Sequence, residues 1–239
     1  MSFTVVDDGF DFKVVIVDDR WVVRIPRREQ VLPAFEQEIV LLPELTRVLP
    51  VAVPQFEHVS HDPPFVVYPL IRGTPLVHED PDGVRAFLDS LHGLRTNVLP
   101  PTDWIAVYRD QCDEFQRLVL PLLGGDERSS AEALFAEVET LTGFEPCITH
   151  SDLGAEHLLV QDGKLVGVID WSDARVGDPA LDYAWLINGP FTDWEIDGEL
   201  RRRADFYHRL APFFSVHYGV FRNHADYTKN ALEMLKSRL

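Results

Sequence analysis

The feature that most constrains this chain is a change of hydrophobic period near residue 70. Runs at 3–6, 12–17 and 21–25 are rich in Val, Ile and Phe. They are joined by turn residues, Asp7, Asp8 and Gly9 at the first junction and Asp18 and Asp19 at the second, which is the pattern of strands. One helical stretch interrupts them after Pro33, where Phe35, Ile39 and Leu42 recur at i, i+4 and i+7 while Glu36 and Glu38 point elsewhere. Pro50, Pro54, Pro63 and Pro64 then punctuate short extended segments ending at residues 65–68, and Pro69 stops further ladder pairing. Beyond a boundary at 69–73 the period is helical. Val84, Phe87, Leu88, Leu91 and Leu94 follow Pro81, then come Val107, Phe115, Leu118 and Leu122, then Leu134, Val138 and Leu141. Strand character returns only at 157–161 and 165–169, as a hairpin around Asp162 and Gly163. The chain therefore reads as α+β: a small, mostly antiparallel β unit with one helix over 1–70, and a larger, mainly helical unit over 71–239.

Charge and composition narrow the function classes. A formal charge of −17, from 22 basic and 39 acidic residues, leaves no cationic surface to track a phosphate backbone, so nucleic acid is not an expected partner. The same balance suits a cationic or amphipathic small molecule and also keeps the chain soluble. Cys112 and Cys147 form neither a metal spacing nor a disulfide framework, and are expected as packing residues of a cytoplasmic protein. No membrane partner is expected, because no apolar run reaches spanning length. Composition leaves monomer and homodimer both open.

The segment that carries chemistry runs His150-Ser151-Asp152-Leu153-Gly154-Ala155-Glu156-His157, followed by Ile169-Asp170-Trp171. Phosphoryl transfer needs one carboxylate beside the acceptor hydroxyl and another on the metal that bridges the phosphates, and kinases present them on a loop and on the strand after it. Asp152 fits the first place and Asp170 the second, with a hairpin between. The fifth position after the base is a metal ligand in kinases, usually Asn, and here it is His157. Imidazole is a poorer ligand than an amide oxygen for a hard cation such as Mg²⁺, so His157 could ligate the metal, reach it through water, or contact phosphate. His150 belongs to the same catalytic loop and is expected to brace it.

The motif resembles that of the aminoglycoside and macrolide phosphotransferases, which have a protein-kinase-like bilobal fold. The likeness to the macrolide 2′-phosphotransferases rests on His157, on Ile169-Asp170-Trp171-Ser172-Asp173-Ala174-Arg175, and on Asp178-Pro179-Ala180 with Asp182. Further support comes from Trp21-Val22-Val23-Arg24-Ile25-Pro26-Arg27-Arg28 and from Leu49-Pro50-Val51-Ala52-Val53-Pro54, so that it covers about 5–95 and 145–190. It implies GTP or ATP as phosphate donor, Mg²⁺, and a hydroxyl acceptor such as a macrolide sugar, with an aminoglycoside or small metabolite alcohol as the alternative. A nucleotide-binding module without transfer is the reading from another class. In this frame Arg24 and Glu38 form the pair that fixes the α- and β-phosphates, with Arg in place of the kinase Lys. Asp8, Gly9 and Phe10 form the turn over the phosphates, and Tyr68, Pro69, Leu70 and Ile71 the hinge beside the base. Pro69 can only accept a hydrogen bond, so Ile71 is the expected donor. Phe191, Trp194, Phe206, Tyr207, Phe213, Phe214, Tyr218, Phe221 and Tyr227 could line an acceptor pocket or pack a helical core. Asp193, Glu195 and Asp197 could meet an amino sugar or serve a helix N-terminus.

Overall fold

The structure, a computed structural model, describes residues 2–6 and 11–239. The expected turn at Asp8, Gly9 and Phe10 lies outside the described residues. The chain forms two compact units, one of Met1–Pro100 with Cys147–Val176 and one of Pro101–Pro146 with Gly177–Leu239. The expected boundary at 69–73 falls inside the first of these.

In the first unit, strands β1 (Phe3–Val6), β2 (Phe12–Val17), β3 (Trp21–Pro26), β4 (His58–His61) and β5 (Pro64–Pro69) make one antiparallel sheet in the order β1-β2-β3-β5-β4. Side chains alternate across a strand, so Val22 and Arg24 of β3 share one face, and both are buried. That face packs Phe12, Val66 and Tyr68 against Val31 and Phe35.

Helix α1 (Leu32–Val48) starts with Pro33 in its first turn, where a missing N–H is harmless. Its buried face is Phe35, Glu38, Leu41, Leu42 and Leu45. Here the sequence reading needs correction. Glu38 does not point away from the apolar stripe but lies on it, 1% exposed, because a buried cation on β3 compensates it.

The hairpin of β8 (Leu158–Gln161) and β9 (Lys164–Val168) forms where expected, with Asp162 and Gly163 both at positive φ (52° and 72°), as a two-residue hairpin turn requires. Asp80 fixes it to α2 (Pro81–Gly93), accepting hydrogen bonds from Leu165 N and Lys164 Nζ at 2.9 Å each. Three further strands correct the expectation that this hairpin is the only late β structure. They are β6 (Thr74–Pro75), which joins β8, and the pair β7 (Cys147–Thr149) and β10 (Arg175–Gly177).

The second unit is helical: α3 (Trp104–Leu118), α4 (Gly125–Ala136), α5 (Ala180–Ala184), α6 (Gly198–Phe221) and α7 (Ala225–Lys236). The buried face of α3 is Trp104, Tyr108, Cys112 and Phe115, whereas Val107 and Leu122, expected inside, are exposed. Phe191, Trp194, Phe206, Tyr207 and Phe213 are buried, which favours core packing for them, while Phe214 and Phe221 are exposed. Asp197 caps α6, accepting from Glu199 N (2.9 Å) and Leu200 N (3.1 Å), so its carboxylate is already engaged. Cys112 and Cys147 are both buried and neither is in a disulfide, as packing residues should be.

This unit is also held by a buried polar network. Asp178 accepts from Ala180 N (2.9 Å), Arg203 Nε (2.7 Å) and Tyr207 Oη (3.1 Å), and Trp104 Nε1 donates to Tyr207 Oη at 2.5 Å. Burial pushes the Asp178 carboxyl up, and these donors oppose the rise. Replacing Arg203 by Met leaves a buried carboxylate without its cation, and is expected to cost about 3–5 kcal/mol. The urea midpoint measures it; an unchanged midpoint would show that the pair carries no stability.

Candidate active site

Every side chain of the site described here belongs to the first unit. The catalytic-loop candidates follow β7. His150 is fully buried; its Nε2 lies 2.9 Å from the carbonyl of Ile169 and its ring 4.7 Å from that of Trp171. A carbonyl can only accept, so Nε2 carries the proton and Nδ1 faces the Asp152 amide at 3.4 Å. That arrangement braces the loop and leaves no ring nitrogen for chemistry. Ser151 then adopts a left-handed backbone (φ 71°), a strained geometry for a non-glycine residue, and its hydroxyl lies 2.7 Å from that of Thr149.

Asp152 presents a half-exposed carboxylate. Partial burial, together with Asp173, Asp170 and Glu156, pushes its carboxyl up to about 6, against the pull of His157. His157 lies between the two key carboxylates. Its Nδ1 is 2.7 Å from the Asp152 carbonyl and 3.8 Å from Asp152 Oδ2, and its Nε2 is 3.8 Å from Asp170 Oδ2. The carbonyl again assigns the proton, here to Nδ1, so the Nε2 lone pair faces Asp170.

Asp170 also has a left-handed backbone (φ 64°). Its Oδ1 accepts from Arg24 Nη2 at 2.9 Å and from Ser172 Oγ at 3.3 Å. Burial works against its charge, but the Arg24 guanidinium outweighs it, with the Ser172 hydroxyl in support, and the carboxyl is held below the ordinary range. Arg24, 4% exposed, gives its other terminal nitrogen to both oxygens of Glu38 at 2.7 and 2.9 Å and stacks over Phe12 at 4.0 Å. Glu38 Oε1 in turn accepts the amide of Trp171 at 3.2 Å. Glu38, Arg24, Asp170 and Trp171 thus form a closed ring joining α1, β3 and the loop after β9. The indole of Trp171 is fully buried, bonded to Val168 O at 3.1 Å and edge-on to Phe87.

The hinge candidates are partly spent. Tyr68 is in the sheet core against Phe56, and burial pushes its phenol up. Pro69 pairs with Trp21, and the Leu70 amide is taken by Arg20 O at 2.8 Å, so Ile71 is the next amide along. The sequence reading gave no role to Ser172 or to the Trp171 amide. It quoted Asp173 without one, and burial with Asp170 and Asp11 nearby pushes that carboxyl up against Arg175. The signal was only their adjacency to Asp170.

Among the described residues no three His, Cys, Asp or Glu side chains make a ready metal cage. One ionised carboxylate beside an imidazole lone pair nevertheless fits Mg²⁺, which takes few protein ligands and completes its shell with phosphate and water.

The sequence matches the model of the phosphotransferase enzyme family over residues 2–218. The chain belongs to that family. This phosphotransferase is 28% identical over 215 residues to the uncharacterized protein YcbJ of Bacillus subtilis, covering 74% of this chain and 67% of that protein. It is 28% identical over 143 residues to the viomycin phosphotransferase of Streptomyces vinaceus, covering 52% and 50%. The match thus spans two thirds of one relative's length and half of the other's. The phosphotransferase superposes on the aminoglycoside phosphotransferase APH(2″)-IIIa in its GDP and kanamycin complex with a TM-score of 0.88, at 23% identity over 99% of this chain and 92% of that one. With macrolide 2′-phosphotransferase type I the TM-score is 0.77, at 22% identity over 98% and 90%. The fold is the kinase-like phosphotransferase fold expected from the sequence, and the family's reaction is transfer of phosphate to a hydroxyl. No helix among the described residues is long and apolar enough to cross a membrane.

Proposed function

We propose that this phosphotransferase moves the γ-phosphate of GTP or ATP to a sugar hydroxyl of a cationic or amphipathic antibiotic, a macrolide on the evidence of its Ile169–Arg175 run. The reading rests chiefly on one observation, His157 lying 3.8 Å from a carboxylate oxygen of both Asp152 and Asp170. An aminoglycoside acceptor is the second reading, favoured by the kanamycin complex of the APH(2″)-IIIa relative. Residues 1–70 hold the nucleotide in this scheme, and 71–239 carry the catalytic loop, metal site and acceptor pocket. The reducing, nucleotide-rich cytoplasm is the compartment that suits it.

Asp152 orients the acceptor hydroxyl and takes its proton. Arg24, fixed by Glu38, turns its guanidinium to the phosphates, and the Ile71 amide meets the base. Asp170 and His157 hold Mg²⁺, which when bound offsets the charge on the phosphate oxygens. His150 keeps Asp152 in place. The test is nucleotide turnover with GTP and with ATP against a panel of macrolides, aminoglycosides and small alcohols. Acceptor-dependent turnover with an antibiotic supports the reading; no acceptor-dependent turnover with any of them ends it.

The role of His157 can be separated from packing. His157→Asn is expected to keep transfer, since an amide oxygen is a better Mg²⁺ ligand. His157→Ala should lose activity, which added Mg²⁺ partly restores. Turnover measured against Mg²⁺ concentration distinguishes them, and coincident curves for all three proteins would leave His157 as a loop residue only.

A further inference from the structure

On α1, with Ile39, the residue after Glu38, in its lining, the first unit has a cavity of about 430 Å³. That size takes a small organic ligand. Ile39, Leu42, Pro43, Pro54, Phe56 and Val59 give it an apolar wall. Two features add polarity. Pro43 lies inside the helix and has no N–H, so the carbonyl of Ile39, four residues earlier, lacks the amide that an α-helix would supply, and both residues line the cavity. Arg47, also in the lining, brings a guanidinium that is exposed and paired with Glu44 at 2.6 Å. An acceptor and a cation beside apolar walls complement a small amphipathic organic anion that carries one hydrogen-bond donor.

We propose that this cavity binds such an anion and that its occupancy raises nucleotide affinity through α1. The helix grips the segment after Asp170 at two points, Glu38 accepting from Trp171 N at 3.2 Å and Gln37 Nε2 donating to Ala174 O at 2.5 Å. Ile39 follows these two residues directly, so the cavity wall and the grip share one turn of helix. A ligand that fills the cavity favours the conformation in which the cavity exists, and in that conformation the ring of Glu38, Arg24 and Asp170 is closed. Linkage then requires the nucleotide and the anion to strengthen each other's binding. The coupling rests on the proposed nucleotide-dependent transfer, whereas the site does not.

Anilinonaphthalene sulfonate, with two apolar ring systems, an aniline N–H and a sulfonate, is a suitable probe. Titrated into the full chain, it should give one saturable fluorescence increase. Thr46→Trp fills the cavity from an exposed position of its lining and is expected to weaken binding at least tenfold. Pro43→Ala supplies the missing amide to Ile39 and should weaken it several-fold. Phe221→Ser, on the exposed aromatic surface of α6, should leave it unchanged. Calorimetry of Mg²⁺-nucleotide binding with the probe present should show affinity raised about fivefold or more in the wild type and unchanged in Thr46→Trp. Unsaturable binding, or equal binding by Thr46→Trp, overturns the site. Saturable binding with unaltered nucleotide affinity overturns the coupling. A chain with no nucleotide affinity at all would end the proposed function, while the probe titration would still decide the site.

Discussion

Asp152→Asn is expected to lower phosphate transfer by about 10²–10⁴-fold while nucleotide affinity stays within about twofold. The loop is built for this contrast. His150 and the Asp152 main chain hold its shape through groups that the substitution leaves intact, namely the Asp152 amide and the Asp152 carbonyl that accepts from Gly154 N and His157 Nδ1. Only the carboxylate is lost. Single-turnover transfer and nucleotide binding, measured separately, give the two numbers, and unchanged transfer would remove Asp152 from the mechanism. The wild type should carry a matching pH signature. A base must be deprotonated to act, and burial pushes this carboxyl up to about 6, so the deprotonated fraction falls as pH drops through that value. Below it kcat/KM should fall about tenfold per pH unit. A rate that stays level well below pH 6 would contradict the assignment.

Asp170→Asn should behave differently, weakening Mg²⁺-dependent nucleotide binding and turnover together, by about 10²-fold or more, because the charge it removes acts before the transition state. The fold should tolerate the change, since an amide oxygen still accepts from Arg24 Nη2. Arg24→Met is the instructive contrast. It strips the cation from Glu38, which is 1% exposed, and should cost about 3–5 kcal/mol of stability in addition to activity. Calorimetry with and without Mg²⁺, beside urea unfolding of each variant, separates a metal-site loss from a folding loss. Equal Mg²⁺-nucleotide affinity in Asp170→Asn and wild type would refute the metal role.

The parts legible in the sequence were those set by short-range pattern. Alternation in 21–25 placed Arg24 on one face with Val22, and the spacing from Asp152 to His157 survived folding as a direct approach of the ring to both carboxylates. What escaped was set by long-range compensation. A periodic reading sends a Glu outward, and Glu38 is inside because Arg24, fourteen residues away, neutralises it. Nothing local in Asp178 announces Arg203 or Tyr207. Strands of two or three residues, such as β6, β7 and β10, are too short to show a period. In α3 the sequence pattern found Phe115, but the rest of the buried stripe, Trp104, Tyr108 and Cys112, was masked by Val107 and by Leu122 beyond the helix end, whose hydrophobicity favours the interior but whose positions face solvent.

The ring of Glu38, Arg24 and Asp170 also sets an order of events during synthesis. Arg24 and Glu38 are close in the chain and form a neutral pair as soon as the first sheet and α1 can pack. Asp170 comes about 100 residues after Pro69, where that sheet ends. At ordinary elongation speeds that separation is a delay of roughly 5–20 s between the pair and its third member. Through that interval the nascent sheet carries Arg24 already neutralised by Glu38. The arrival of Asp170 then turns a balanced pair into a trio with one excess negative charge, complete only once the chain has passed residue 170.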